Sequence, residues 1–280
     1  MSKQKTIIIG HKNPDTDSIC AAIGYADLKS KTEEGSFHPR RAGELNEETK
    51  FVLNYFKVKP PKFCPSVNTQ VKDIEIRHTK GVNRNISFKK AWEMMQDLEV
   101  VTLPVVSNDN DLEGIITIND IANSYMNIYD SKILSKANTR YANIIETLEA
   151  NLVVGDEKAN FNDGKVLIAA ANPDMMEYYI EKGDLVILGN RYESQLVSIE
   201  MGADCIIVCE GASVSRTIKK LAREHGTTVI TTAYDTFTAA RLINQSMPIN
   251  FFMKTDNLLT FGEEDFLDDI RDVMTNVRHR

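Results

Sequence analysis

The stretch His11-Lys12-Asn13-Pro14-Asp15-Thr16-Asp17 concentrates more chemistry than any other part of the sequence. It follows a short apolar run at residues 6–10 (TIIIG), so one imidazole and two carboxylates are expected in a loop at the carboxyl end of a strand. Open α/β sheets bind their ligands at such loops. A helix starting just beyond adds a terminus that favours anions. Carboxylate oxygens suit hard divalent cations, and a histidine shifts the preference from Mg toward Mn, Co, Fe or Zn. Two cations side by side lower the pKa of a shared water and clamp a phosphate. Plainer roles fit the same residues: Asp17 or Ser18 caps a helix, Pro14 and Asp15 make a turn, and His11 is merely exposed. Three ligands are also too few for a two-metal centre. Spacing alone leaves both readings open.

The elements that must position this loop are legible in the pattern. The continuous apolar run TIIIG reads as a buried parallel strand, and residues 19–31 (ICAAIGYADLKSK) read as the helix after it. A second helix fits residues 46–56, with Phe51, Val52, Tyr55 and Phe56 at helical spacing. Three prolines within residues 57–65 break that pattern and mark a boundary. Next come a helix at 88–100, with Ala91, Met94, Met95 and Leu98 on one face, and two strands at 102–107 and 112–118 joined by a turn. A helix at 119–129, capped by Asn119 or Asp120, closes this small unit. Strands at 166–171, 184–189, 205–210 and 228–234 then alternate with helices at 175–182, 193–202, 213–226 and 236–245. That alternation predicts a mostly parallel sheet with helical crossovers. The last residues, 247–280, begin a pattern like that of 66–100 and end after its helix, where a further strand is expected.

Composition narrows the class. The 280 residues are enough for two or three compact units, and 42% hydrophobic with 26% charged residues is ordinary for a soluble globular protein. A net charge of -7 argues against nucleic acid as the main partner. No run of 18 apolar residues is present, so no membrane span is expected, and the first apolar stretch is too short for a signal peptide. Cys20, Cys64, Cys205 and Cys209 lack paired metal spacing. Reduced core thiols and a cytoplasmic location are expected, with Cys205 and Cys209 on one side of a strand.

Residues 8–29 (IIGHKNPDTDSICAAIGYADLK) closely resemble the first motif of family II inorganic pyrophosphatases of the DHH phosphoesterase superfamily, and residues 43–62 are similar to that family's second helix region. The resemblance implies that His11 and Asp15 bind one metal and Asp17 the other, with Mn²⁺ or Co²⁺ in the protein and Mg²⁺ accompanying the substrate, pyrophosphate. Residues 102–106 (TLPVV) and the pattern Gly114…Thr117…Asp120 resemble a CBS motif, in which the Asp holds a ribose and the Thr a phosphate. Both groups suit the task, since a carboxylate accepts from ribose hydroxyls and a hydroxyl donates to phosphate. The alternative is that Asp120 only caps a helix. Residues 188–211 resemble a DRTGG domain, with Asn190-Arg191 in place of the usual Asp-Arg, and the resemblance implies packing and dimerisation there rather than chemistry.

The implied α/β layout is the start of a DHH parallel-sheet domain (1–62), a first CBS motif (66–129), a DRTGG domain with a mostly parallel sheet (130–245) and part of a second CBS motif (247–280). This is the order of regulated pyrophosphatases. Adenine nucleotides are the implied effectors, AMP and ADP inhibiting, ATP and diadenosine polyphosphates activating, in a homodimer. No Asp-His pair occurs in the chain, whereas the family needs such motifs after the insert. The polypeptide is therefore expected to stop before the active site is complete and to be inactive alone. Rival readings are a DHH-type oligonucleotide phosphoesterase and a non-catalytic nucleotide-sensing regulatory protein.

Overall fold

The computed structural model describes residues 5–126 and 130–276. They fall into two compact units, one drawn from Met1–Ile76 with Thr260–Arg280, the other from Arg77–Leu259. No helix among the described residues is long and apolar enough to cross a membrane.

The first unit opens with β1 (Lys5–Ile9), α1 (Thr16–Thr32), β2 (Ser36–Arg41), α2 (Glu47–Tyr55) and β3 (Lys62–Phe63). The strands form one parallel sheet in the order β1-β2-β3. Helix α1 buries Ser18, Ile19, Ala22 and Ala26, a stripe at the three-to-four spacing of one helix face. It starts earlier than the sequence pattern suggests. Asp15, rather than Asp17 or Ser18, is the cap, its side chain accepting from the Ser18 N–H. Strand β2 was not expected, because SFHPRR carries a proline and charges instead of an apolar alternation. The apolar run of β1 is not fully buried either, with Ile7 among the exposed side chains. On α2 the buried residues are Thr49 and Leu53, while Phe51, Tyr55 and Phe56 stand exposed.

In the second unit, β4 (Val82–Asn83) lies parallel to β5 (Thr102–Val106), which pairs antiparallel with β6 (Leu112–Thr117). Helix α3 (Phe88–Asp97) packs Ala91 and Met95 inward but ends sooner than expected, before Glu99, whose φ of 51° is outside helical space. Helix α4 (Ile118–Met126) follows β6, and the part of the expected 119–129 helix beyond Met126 lies outside the described residues. After α5 (Ile133–Lys136), the short pair β7 (Thr139–Arg140) and β9 (Asn160–Phe161) flanks α6 (Tyr141–Thr147) and β8 (Asn151–Val154).

The alternating region supplies β10 (Val166–Ile168), α7 (Pro173–Met176), β11 (Leu185–Leu188), α8 (Tyr192–Glu200), β12 (Cys205–Val208), α9 (Arg216–His225), β13 (Thr228–Thr231) and α10 (Thr236–Leu242). Its sheet runs β10-β11-β12-β13-β8, parallel except for β8, which pairs antiparallel with β13. Alternate residues of the central strands feed two separate cores. Leu185, Ile187, Cys205, Ile207, Cys209 and Ile230 point to one side, and Val186, Leu188, Ile206, Val208 and Val229 to the other. The first of these cores also contains Phe88, Met95, Leu103, Val105 and Ile116, so the β4–β6 sheet and the larger sheet share one apolar interior. Burial pushes the Cys209 thiol up to about 12 and the Cys205 thiol well above its ordinary value, which keeps both protonated. The helix expected at 175–182 is only the single turn α7, begun by Pro173.

Helix α11 (Leu267–Asn276) returns the chain to the first unit, where Leu267 N–H donates to the Thr69 carbonyl at 3.0 Å and residues 70 and 266 form a bridge. The chain beyond Asn276 lies outside the described residues.

Candidate functional site

The loop between β1 and α1 is built around close packing. Pro14 is buried, and Gly10 leaves no room for a side chain, since a Cβ there would lie 1.9 Å from Ser18 Oγ. That hydroxyl is itself buried without a hydrogen-bond partner. Asp15 Oδ1 accepts from the Ser18 N–H at 2.9 Å, and Thr16 Oγ1 meets Thr49 Oγ1 at 3.1 Å, tying α1 to α2. Across the loop His11 Nε2 comes within 3.4 Å of the same Asp15 oxygen, with both side chains about three-fifths exposed (59% and 60%). The Ser18 N–H holds the Asp15 carboxyl below its usual range, against slight burial, and His11 adds to the effect. Asp17 sits exposed in the first turn of α1.

The structure thus brings His11 and Asp15 together but does not gather Asp17 with them. Among the described residues no group of three His, Cys, Asp or Glu side chains is placed to hold a metal ion. The donors present fit one side of a divalent-cation site: an imidazole nitrogen in contact with an anionic carboxylate, open to solvent, with another carboxylate two residues on.

The second group of expected residues lies at the β6–α4 junction. Thr117 N–H and Oγ1 both donate to Asp120 Oδ2, at 3.0 and 2.6 Å, while the Asp120 N–H donates to Thr117 Oγ1 at 3.2 Å. This reciprocal arrangement is a capping box. Thr117, not Asn119 or Asp120, therefore occupies the cap position, and Asp120 sits one turn in. The free face of the carboxylate meets a residue that no sequence pattern places there. Lys254 Nζ stands 3.6 Å from Asp120 Oδ1, with the lysine 56% and the aspartate 12% exposed. Nearby, Arg84 Nη1 is 3.5 Å from Glu113 Oε2. A cavity of about 450 Å³ opens between α3 and α4, lined by Phe88, Trp92, Ile118, Ile121 and Tyr125 among others. Neither Thr117 nor Asp120 lines it.

Two family models match the chain: a CBS domain over residues 71–127 and a DRTGG domain over residues 143–246. A cobalt-dependent inorganic pyrophosphatase of Clostridium perfringens is 38% identical over 99% of this chain and 50% of its own length. A probable manganese-dependent inorganic pyrophosphatase of Thermotoga maritima is 33% identical over 97% of this chain and 49% of its own. The chain thus spans about half the length of these relatives. Among solved structures, the CBS and DRTGG domains of the regulatory region of Clostridium perfringens pyrophosphatase, complexed with the activator diadenosine tetraphosphate, superpose with a TM-score of 0.71 at 36% identity. That likeness covers 75% of this chain and 91% of the other.

Proposed function

This chain belongs to the family of pyrophosphatase chains that carry CBS and DRTGG domains, and from that premise we propose that it supplies the first metal ligands and the nucleotide-responsive region of an inorganic pyrophosphatase. The observation that carries the reading is the contact of His11 with Asp15 at the carboxyl end of β1, in a chain related over 99% of its length to a cobalt-dependent pyrophosphatase.

His11 and Asp15 would hold one divalent cation and Asp17 the other, Mn²⁺ or Co²⁺, and Mg²⁺ would accompany the pyrophosphate. When bound, the cations would supply Lewis acidity to the phosphoanhydride. The residues of this chain contribute position and charge. The Ser18 N–H bond orients the Asp15 carboxylate, and His11 presents its imidazole beside that carboxylate. The tight packing of Gly10 on Ser18 fixes where the loop leaves β1. No nucleophilic serine or acid is required, because the attacking group is water.

The regulatory ligands are adenine nucleotides, with Asp120 accepting from ribose hydroxyls and Thr117 donating to phosphate at the start of α4. AMP and ADP inhibit, whereas ATP and diadenosine polyphosphates activate. The working form is a cytoplasmic homodimer, and its dimeric state draws support from the large apolar side chains Trp92 and Tyr125 left exposed on α3 and α4. The test is phosphate release by the full-length protein with Mn²⁺ or Co²⁺, offered pyrophosphate in one series and a dinucleotide in another. Turnover of pyrophosphate, altered by adenine nucleotides, is expected. Preference for the dinucleotide, or nucleotide binding without hydrolysis of either, would sink the assignment.

A further inference from the structure

We propose that Lys254 is a phosphate-binding residue of the nucleotide site, held against Asp120 in the free protein and turned to the 5′-phosphates when an adenine nucleotide binds. The inference rests on the nucleotide reading of Thr117 and Asp120 and adds a third residue to it, from a part of the chain far downstream.

Each member of the Gly114…Thr117…Asp120 pattern contributes to placing Lys254. The Ile115 N–H donates to the Lys254 carbonyl at 3.0 Å and the Lys254 N–H to the Ile115 carbonyl at 2.9 Å, so residue 254 runs antiparallel against β6. Only a glycine at 114 permits that approach: a Cβ there would lie 2.6 Å from the Lys254 carbonyl oxygen. The side chain then reaches 3.6 Å from Asp120 Oδ1, while Asp120 Oδ2 already accepts both Thr117 donors. Backbone pairing fixes the root of the lysine, and its flexible stem leaves the ammonium free to move.

Charge gives the arrangement its function. A carboxylate that accepts from a ribose stands close to the anionic phosphates of the same ligand, and the two repel. An ammonium beside the carboxylate offsets this repulsion. The ammonium is largely exposed and stands 3.6 Å from the carboxylate, too far for a hydrogen bond, so Lys254 is free to leave Asp120 when phosphates arrive. Affinity should therefore rise with phosphate number through this residue, while the nucleoside part is held by Asp120.

Calorimetry on the 280-residue chain with adenosine, AMP and ATP tests this. Lys254→Gln should weaken ATP binding about tenfold, the loss of one charge-assisted contact. Adenosine binding should change less than about twofold, and Lys254→Arg should keep most of the ATP affinity. A merely structural lysine would move all three ligands together. Wild-type ATP affinity in Lys254→Gln, or an equal loss for adenosine and ATP, overturns the proposal. Asp120→Asn separates the two levels. If it weakens adenosine binding while Lys254→Gln leaves ATP binding intact, only the lysine assignment fails. If Asp120→Asn leaves adenosine binding unchanged, or the chain binds none of the three, the nucleotide reading fails and the lysine role with it.

Discussion

Asp15 and Asp120 each serve the fold and the candidate site with one carboxylate. Asp15 caps α1 while touching His11, and Asp120 closes a capping box while facing Lys254. Plain sequence spacing could not separate cap from ligand at either position, because both roles use the same residue type at the same helix start. A purely structural counterpart is Tyr141, which is buried and donates its hydroxyl to Asp204 Oδ2 at 2.5 Å. Burial, the neighbouring Cys205 thiol and Asp204 push its proton affinity far above the ordinary phenol range. The folded state therefore holds this proton more tightly than the unfolded chain does. The stability so gained is complete below the unfolded pKa of about 10 and is lost as pH rises toward the folded value. Urea unfolding at about pH 8 and about pH 10.5 should show wild-type stability falling, and Tyr141→Phe should cost about 1.5–3 kcal/mol at the lower pH while flattening the decline. An unchanged alkaline slope in Tyr141→Phe would assign the effect elsewhere.

At the scale of elements, the segments that follow a simple period were readable. The β5–β6 hairpin and the four parallel strands of the larger sheet carry continuous or alternating apolar runs, and Cys205 and Cys209 share a face as their spacing predicts. Strand β2 was hidden by Pro39 and its charges, and β8 joins the sheet antiparallel at its edge with no crossover helix to announce it. The exposed aromatic stripe of α2 was legible as a stripe but not as exposed, since periodicity does not say which face meets a partner. Long-range polar contacts left no local signal at all. Lys254 is one. Asn143 is another: from α6 its buried amide donates to the carbonyls of Asn85 and Ser246, at 3.0 and 3.1 Å, joining the start of the β4–β6 part to the end of the DRTGG part. Asn143→Ala should destabilise this unit by about 2–3 kcal/mol, since two interior carbonyls lose a donor. A denaturant midpoint within error of wild type would show that water takes over both bonds.

At the scale of the whole molecule, the two compact units differ in how much apolar material they bury. Both large apolar cores lie in the second unit, whereas the first buries chiefly Ile19, Ala22, Ala26 and Leu53. The first unit should therefore unfold at lower denaturant. Trp92, the single tryptophan, belongs to the second unit and reports it alone, while far-ultraviolet circular dichroism reports both. The dichroism change should begin before the fluorescence change; coincident curves would mean one cooperative unit. The proposed function depends on the first unit, because His11, Asp15 and Asp17 all stand in it. The most direct test is Mn²⁺-supported phosphate release from pyrophosphate by the full-length protein, wild type beside Asp17→Ala. The predicted result is steady turnover in the first and none measurable in the second, with both proteins equally folded by circular dichroism. Equal turnover in the two would contradict the metal-ligand assignment, and no turnover in either would contradict the pyrophosphatase reading itself.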